Sequence, residues 1–167
     1  AGRLRRASRL LASYGVPLVA NQVNYSLLNR AAEVNGVLAA CRELDITLIA
    51  YSPLAEGLLT GKYRPGDRPD GARKTVAKFR GHDPVRVEPV VQALREIGTH
   101  YDKSPSQVAL NWLIRQPGVV AIPGVKNAAH AHSNAGAFGW SISDNEAQRL
   151  SEVSTLWRKR GLLDRLL

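Results

Sequence analysis

One uncharged run that stops at a Ser-Pro turn constrains the fold of this chain more than any other stretch. The run is TLIAY, residues 47–51, followed at once by Ser52-Pro53 and by a loop that contains Gly57 and Gly61. A run of this kind predicts a strand buried on both faces, which is typical of a parallel sheet covered by helices. Ligands bind at the carboxyl ends of such strands, where Tyr51 lies. The alternative is that Tyr51 merely caps a core and the two glycines merely turn the chain.

Two further apolar runs have the same character. Residues 18–20 (LVA) lead into the polar pair Asn21-Gln22, and residues 119–123 (VVAIP) break into Gly124. Apolar residues at helical spacing separate the three runs, which predicts β/α units with parallel strands and right-handed crossovers. The fold candidates are a doubly wound sheet and a (β/α)8 TIM barrel. No G-x-G-x-x-G follows any strand, which argues against the doubly wound dinucleotide fold, and three strands fit the last part of a barrel.

Helix ends can be predicted from individual residues. A first helix over residues 3–14 should stop at Gly15, and Pro17 should enforce an extended entry to the next strand. Asn35 is a candidate N-cap, and Asp45 is expected to take a left-handed conformation at the end of that helix. The other expected features are a loop over residues 23–30, a mobile or insertion loop over residues 63–86, capping boxes at Ser104–Gln107 and Ser143–Glu146, and a final helix reaching Trp157.

Composition limits the function classes. The 167 residues suit one domain, and no apolar run approaches the roughly 20 residues that span a bilayer, so a membrane segment is not expected. The net charge of +9 raises nucleic-acid binding as an alternative, but no recognisable module or interleaved aromatic residues accompany the basic clusters. The single cysteine, Cys41, predicts a buried thiol and fits a reducing compartment such as the cytosol or a plastid stroma.

The third run is followed by a pattern that can bind an anion. A strand, the turn at Gly124-Val125-Lys126-Asn127 and helical sequence from about Ala128 to Ala137 follow one another. Free backbone N–H groups and the helix dipole at such a helix start favour a negatively charged ligand. An ordinary tight turn between a strand and a helix is the alternative at this point.

Four segments in this order and spacing resemble the aldo-keto reductases. They are LVANQVNYSLL (residues 18–28), LIAYSPLAEGLLTGKY (48–63), SPSQVALNWLIR (104–115) and IPGVKNAAHAHSN (122–134). The resemblance implies a (β/α)8 barrel that binds NADPH at its carboxyl-terminal rim and transfers a hydride to a small aldehyde or ketone. It covers only the carboxyl-terminal half of that barrel. The chain is therefore expected to supply roughly the last three β/α units and the final helix of one domain over residues 1–167, without the amino-terminal half.

The resemblance also implies roles for ten residues. Gln22 matches the amide that hydrogen-bonds the nicotinamide carboxamide, and Tyr51 matches the aromatic residue that stacks on the nicotinamide ring. Ser52, Leu54, Gly57 and Lys62 match the loop that covers the pyrophosphate. The segment expected to bind the adenosine 2′-phosphate and adenine comprises Gly124, Lys126, His130 and Asn134.

The chain departs from the family pattern in two respects. Ser133 stands where a Glu that contacts adenine is usual, and His130 stands where Arg or Gln is usual. No residue matches the catalytic Tyr, Asp, Lys and His, so the catalytic set is empty, no metal site is expected, and Tyr25 and Tyr51 are not candidates for general acid. The parent protein is expected to be an enzyme and this segment alone to be inactive. A cofactor-binding regulatory subunit of the same fold is the alternative; the sequence does not predict the carbonyl substrate or the oligomeric state.

Overall fold

The chain folds around a parallel sheet of three strands. A computed structural model describes residues 1–63 and 84–158. The strands are β1 (Ala20–Asn24), β2 (Thr47–Tyr51) and β3 (Val119–Ile122), in the spatial order β1-β2-β3. Seven α-helices in the described residues accompany them: α1 (Gly2–Ala12), α2 (Ala31–Val34), α3 (Val37–Glu43), α4 (Pro84–Tyr101), α5 (Pro105–Ile114), α6 (Ala128–Ala135) and α7 (Asp144–Val153).

The register of the sheet brings all three carboxyl ends to one edge. Asn24 lies opposite Tyr51, and Tyr51 lies opposite Ile122. Helices lie between consecutive strands along the chain, as expected for the predicted β/α units. The α/β prediction with parallel strands is therefore confirmed, and the central strand is the uncharged run that was predicted first.

The predicted position of the first strand was wrong by two residues. Leu18 and Val19 precede β1, whereas Gln22 and Asn24 lie within it. The loop predicted over residues 23–30 therefore begins only after Asn24. Parallel pairing uses backbone groups, so polar side chains do not prevent Gln22 and Asn24 from joining the ladder.

The expectation that β2 is buried on both faces was also wrong. Leu48 and Ala50 are fully buried, whereas Thr47 and Ile49 are partly buried and Tyr51 is 37% exposed. Within residues 1–63 and 84–158, helices cover only the side of the sheet that carries Leu48 and Ala50. The other side remains accessible in the described part of the chain and includes the exposed Val120 and Ile122 of β3.

Most of the predicted helix ends are confirmed. Gly15 and Asp45 have positive φ, and Ser104 and Ser143 each form a complete capping box with Gln107 and Glu146. Asn35 is not the N-cap of α3, because it is the C-cap of a separate short helix over residues 31–34, and Gly36 is the N-cap of α3. Its side chain instead accepts a hydrogen bond of 3.0 Å from the Val37 amide. The helix predicted to reach Trp157 ends at Val153, and a 3₁₀ turn over Thr155–Trp157 follows it.

The predicted loop over residues 63–86 is partly corrected. Pro84 already begins α4, which continues to Tyr101, while residues 64–83 lie outside the described residues, as does the segment after Arg158. Val90, Leu94 and Ile97 of α4 are fully buried. Among the described residues, no helix is long and apolar enough to cross a membrane.

A buried arginine connects the first crossover to the carboxyl end of α7. Arg30 is 4% exposed, and its Nε and Nη2 donate to the two Glu33 carboxylate oxygens at 2.7 and 2.8 Å. Its Nη1 donates to the Ser151 carbonyl at 2.6 Å and to Ser154 Oγ at 2.9 Å. The guanidinium also lies 5.2 Å from the centre of the Trp112 ring. Such complete hydrogen bonding is required for a charge to remain buried.

Glu146 fixes the start of α7 against α4. Its Oε2 accepts hydrogen bonds from the Tyr101 hydroxyl at 2.5 Å and the Ser143 amide at 2.8 Å, and its Oε1 lies 3.0 Å from His100 Nδ1. Burial raises the pKa of Glu146, but the hydrogen bonds from Tyr101, His100 and Ser143 outweigh this effect. They lower the pKa from 4.5 to about 2.

This depressed pKa predicts an acid-dependent loss of stability. The ionised carboxylate stabilises the fold fully above the unfolded-state pKa near 4.5, and the contribution is lost as the pH falls toward 2. The substitution Glu146→Gln keeps an acceptor but cannot ionise, so its free energy of unfolding should fall less steeply below about pH 5 than that of the parent. Urea unfolding at a series of pH values measures this slope. Glu152→Gln, an exposed change on the same helix, should keep the parental slope.

Candidate functional site

Gln22 and Tyr51 lie on the same face of the sheet. Gln22 is paired with Ile49, and Asn24 is paired with Tyr51. Side chains of paired residues point to the same side, and the side alternates along each strand, so Gln22, Asn24 and Tyr51 share one face. No helix of the described residues covers that face. Gln22 is exposed, and Tyr51 presents 37% of its surface. This face therefore offers amide groups and an aromatic ring on neighbouring strands.

The loop after β2 turns over the end of that strand in an unusual backbone conformation. Ser52, Ala55 and Glu56 have φ values of 49°, 48° and 58°, and Gly57 has 94°. Residues other than glycine rarely adopt positive φ, and each one that does so raises the free energy of the folded state by about 1–2 kcal/mol. The loop is held in place because its apolar residues are anchored in the core: Pro53, Leu58 and Leu59 are buried, and Leu54 packs against the core.

Gly57 and Lys62 lie against each other within this loop. A Cβ atom on Gly57 would lie 3.2 Å from Lys62 Cε and 3.3 Å from its Nζ. The absence of a side chain at Gly57 therefore leaves room for the lysine to fold back over the loop. The Lys62 ammonium also lies 4.8 Å from the centre of the Tyr63 ring, a cation–π contact that orients it. The arrangement places a positive charge beside a glycine backbone.

The segment after β3 exposes the start of a helix. Gly124, Lys126 and His130 are all exposed, and within α6 only Ser133 and Asn134 are even partly buried. Asn127 caps the helix, and its side chain accepts a hydrogen bond of 2.9 Å from the His130 amide. No acidic residue occupies the first turn. The positive end of the helix dipole and Lys126 therefore favour an anionic ligand.

Two polar side chains of α5 hold α6 in position. Gln107 Nε2 donates to the Ser133 carbonyl at 2.9 Å, and a Cβ atom at Gly136 would come within 2.2 Å of that amide nitrogen. Asn111, which is 1% exposed, donates to the carbonyls of Ala137 and Trp140 at 3.0 and 2.9 Å and accepts from the Ile142 amide at 3.1 Å. The Ala137 carbonyl and the Ile142 amide are buried, and each would cost about 1–3 kcal/mol if left without a partner.

Asn134, near the end of α6, has a buried side-chain donor. Its Nδ2 atom makes no hydrogen bond with any of the described residues. A buried amide donor without an acceptor is uncommon and suits a site that gains an acceptor when a ligand binds. Ser133, in contrast, contributes its backbone carbonyl to Gln107.

The structure places the ten predicted residues in three groups. Gln22 and Tyr51 share a face, the loop residues follow β2, and the α6 residues follow β3. Two residues near them were missed by sequence reasoning. Asn24 could have been identified from Gln22, because residues two apart along a strand point to the same face. No sequence pattern indicates the conformation of Glu56.

Tyr25 lies away from this face. It is fully buried, its hydroxyl donates to Glu33 Oε1 at 3.0 Å, and it accepts from Gln116 Nε2 at 2.7 Å. Burial, together with the negative charge of Glu33, raises the pKa of Tyr25. A hydroxyl held in this way serves packing between the helices and cannot reach a ligand on the open face of the sheet.

The strained loop generates a stability prediction. Ala55→Gly should raise the free energy of unfolding by about 0.5–1 kcal/mol, because glycine relieves the positive φ at this position. Thermal or urea unfolding measures the change. Ala39→Gly, at an exposed position within α3, is the matched control and should lower the same quantity by about 1 kcal/mol. A destabilised Ala55→Gly protein would show that the loop is not strained there.

Comparisons with known proteins agree with this geometry. The Aldo/keto reductase family profile matches residues 1–155. The chain is 43% identical over 140 residues to a chloroplastic pyridoxal reductase of Arabidopsis thaliana, covering 84% of this chain and 37% of the relative. It is 32% identical over 158 residues to an NADP(+) aldo-keto reductase of Schizosaccharomyces pombe, covering 92% of this chain and 45% of the relative.

Solved structures extend the similarity to the fold. A thermostable aldo-keto reductase crystallised with the inhibitor epalrestat has a TM-score of 0.64 and 25% identity, covering 87% of this chain and 43% of that protein. The chain thus spans less than half the length of these relatives. The matched residues include all three strands and the loops that follow them. The chain belongs to the aldo/keto reductase family.

Proposed function

We propose that this chain is the cofactor-binding part of an NADP-dependent oxidoreductase that reduces a small aldehyde or ketone. Residues 1–167 would contribute roughly the last three β/α units of a (β/α)8 barrel domain. The main support for this proposal is that Gln22 and Tyr51 share the open face of a parallel sheet near its carboxyl edge. Family membership and the NADP(+) in the name of the S. pombe relative support the choice of cofactor.

The residues present fit a dinucleotide with an extra phosphate. The aromatic ring of Tyr51 offers a flat apolar surface for the nicotinamide, and Gln22 offers an amide that can donate to and accept from its carboxamide. Ser52, Leu54, Gly57 and Lys62 form the loop that would cover the pyrophosphate. The unpartnered Asn134 donor and the exposed start of α6 suit the adenine and the 2′-phosphate.

Within this function the chain would bind and orient the cofactor and exclude water from one side. When bound, the cofactor supplies the hydride that reduces the carbonyl carbon. Tyr51 would fix which ring face is available, because it occupies the opposite side. The general acid that protonates the carbonyl oxygen has no matching residue in this chain. The names of relatives make pyridoxal and L-glyceraldehyde 3-phosphate sensible first carbonyl compounds to test with the whole protein.

The two outer strands bear on how the chain would be used. β1 and β3 each pair with β2 alone, so their outer edges carry no strand partner among the described residues. Open edges and a partly apolar open face are a liability in water, because they can pair with another chain. In the proposed barrel, the remaining strands would cover both edges.

Substitution of Lys126 tests the proposed preference for NADPH over NADH. Lys126→Ala should weaken NADPH binding by about 5- to 30-fold, the loss expected for one charge-assisted contact to a phosphate. NADH binding should change less than about 2-fold, because NADH has no 2′-phosphate. Isothermal titration of the protein with each cofactor measures both affinities.

Arg6→Ala is the matched control, since it removes one positive charge from the exposed side of α1. It should leave the affinities for NADPH and NADH unchanged. Equal NADPH affinity in the Lys126→Ala protein and its parent would refute the assigned contact. Failure of the parent to bind either cofactor would refute the proposed function itself.

A further inference from the structure

Glu56 places a carboxylate inside the loop after β2. Its backbone has φ 58°, and its side chain reaches back four residues, where Oε1 accepts a hydrogen bond of 3.0 Å from Ser52 Oγ. The distance lies at the upper end of the range for an O–H···O hydrogen bond, and the carboxylate can only accept, so Ser52 is the donor. The Ser52 hydroxyl is therefore already engaged by an anionic group of the chain itself.

The backbone conformation directs this carboxylate to that position. Ala55, Glu56 and Gly57 form three consecutive residues with positive φ, and the loop closes through hydrogen bonds from the Ala55 amide to the Ser52 carbonyl at 2.9 Å and from the Gly57 amide to the Leu54 carbonyl at 3.0 Å. The turn is therefore tight around Glu56. Because two of these residues are not glycine, surrounding contacts must maintain the turn against its local cost.

The carboxylate lies in the same short loop as the groups expected to contact a pyrophosphate. Glu56 directly precedes Gly57, and the Lys62 ammonium lies 3.3 Å from where a Gly57 Cβ would be. A carboxylate resembles a phosphate oxygen pair, since both carry negative charge and accept hydrogen bonds only. A cofactor pyrophosphate at this loop and the Glu56 carboxylate would compete for Ser52 and repel each other.

We propose that Glu56 is an affinity-setting residue that acts as an internal competitor of the cofactor pyrophosphate. In the free protein its carboxylate occupies the Ser52 hydroxyl. On binding, the carboxylate gives up this hydrogen bond and turns toward solvent, which its exposed position allows. The inference rests on the proposed cofactor function and adds to it a residue that weakens binding and promotes release.

We expect Glu56→Gln to bind NADPH about 5-fold more tightly than the parent, because two like unit charges about 4 Å apart repel by about that factor in water. Glutamine keeps an oxygen that can accept from Ser52, so the comparison isolates the charge. The gain should shrink in about 0.5 M salt, since screening weakens the repulsion. Inorganic pyrophosphate, titrated alone, should show the same direction of change.

Glu43→Gln is the matched control. Glu43 is an exposed carboxylate in α3 that pairs with Arg5 at 2.6 Å, on a different element from the loop. Its substitution should leave NADPH affinity and its salt dependence unchanged.

The binding measurements distinguish failure of the proposed Glu56 role from failure of the proposed cofactor function. If the parent binds NADPH and Glu56→Gln binds it equally or more weakly, Glu56 is not a competitor and the cofactor function stands. If none of the three proteins binds NADPH, both proposals are wrong. A 5-fold gain that is independent of salt would also contradict the competition, because its origin would not be charge.

Discussion

The parallel register of β1, β2 and β3 is the constraint on which the rest of the structure depends. Parallel pairing requires each connection to return to the opposite end of the sheet, so helices must follow the strands and all carboxyl ends collect at one edge. The pairs Asn24 with Tyr51 and Tyr51 with Ile122 define that edge. A shift of one residue in β2 would move Tyr51 to the helix-covered face and bring Leu48 into the open.

Buried polar side chains then fix the loops that the sheet alone cannot position. Asn111 satisfies three backbone groups of the segment after α6, and Arg30 connects the first crossover to residues 151–154. Both side chains are at most 4% exposed, so loss of either would leave unsatisfied groups in the interior. The candidate site is mostly exposed, but the elements that carry it are held by these interior contacts.

Local chemistry explains which features could be predicted from the sequence. The two capping boxes and the left-handed residues Gly15 and Asp45 depend on neighbours within three or four positions, and all four were predicted correctly. The start of β1 was misplaced because ladder pairing with β2, rather than side-chain polarity, decides where the strand lies. The one-sided burial of β2 depends on which elements cover the sheet, and residues 47–51 contain no information on that.

In the candidate site, too, the sequence indicates some features and not others. Gln22, Tyr51 and Lys126 were selected because four segments resemble one family, and the register shows that Gln22 and Tyr51 share one face of the sheet. The Ser52–Glu56 hydrogen bond could not be predicted, because it requires successive positive φ values at Ala55 and Glu56, both of them residue types that avoid this region. The three-dimensional structure was needed to place that carboxylate.

In the proposed function, the carboxyl edge of the sheet and its following loops bind the cofactor. Nuclear magnetic resonance can follow the backbone amide resonances of the ¹⁵N-labelled protein while NADP⁺ is added. Binding at this edge should cause saturable shifts in residues 22–24, 51–62 and 124–134 and leave α1 and α7 unchanged. Shifts confined to α1 or α7, or no saturable shifts at all, would contradict it.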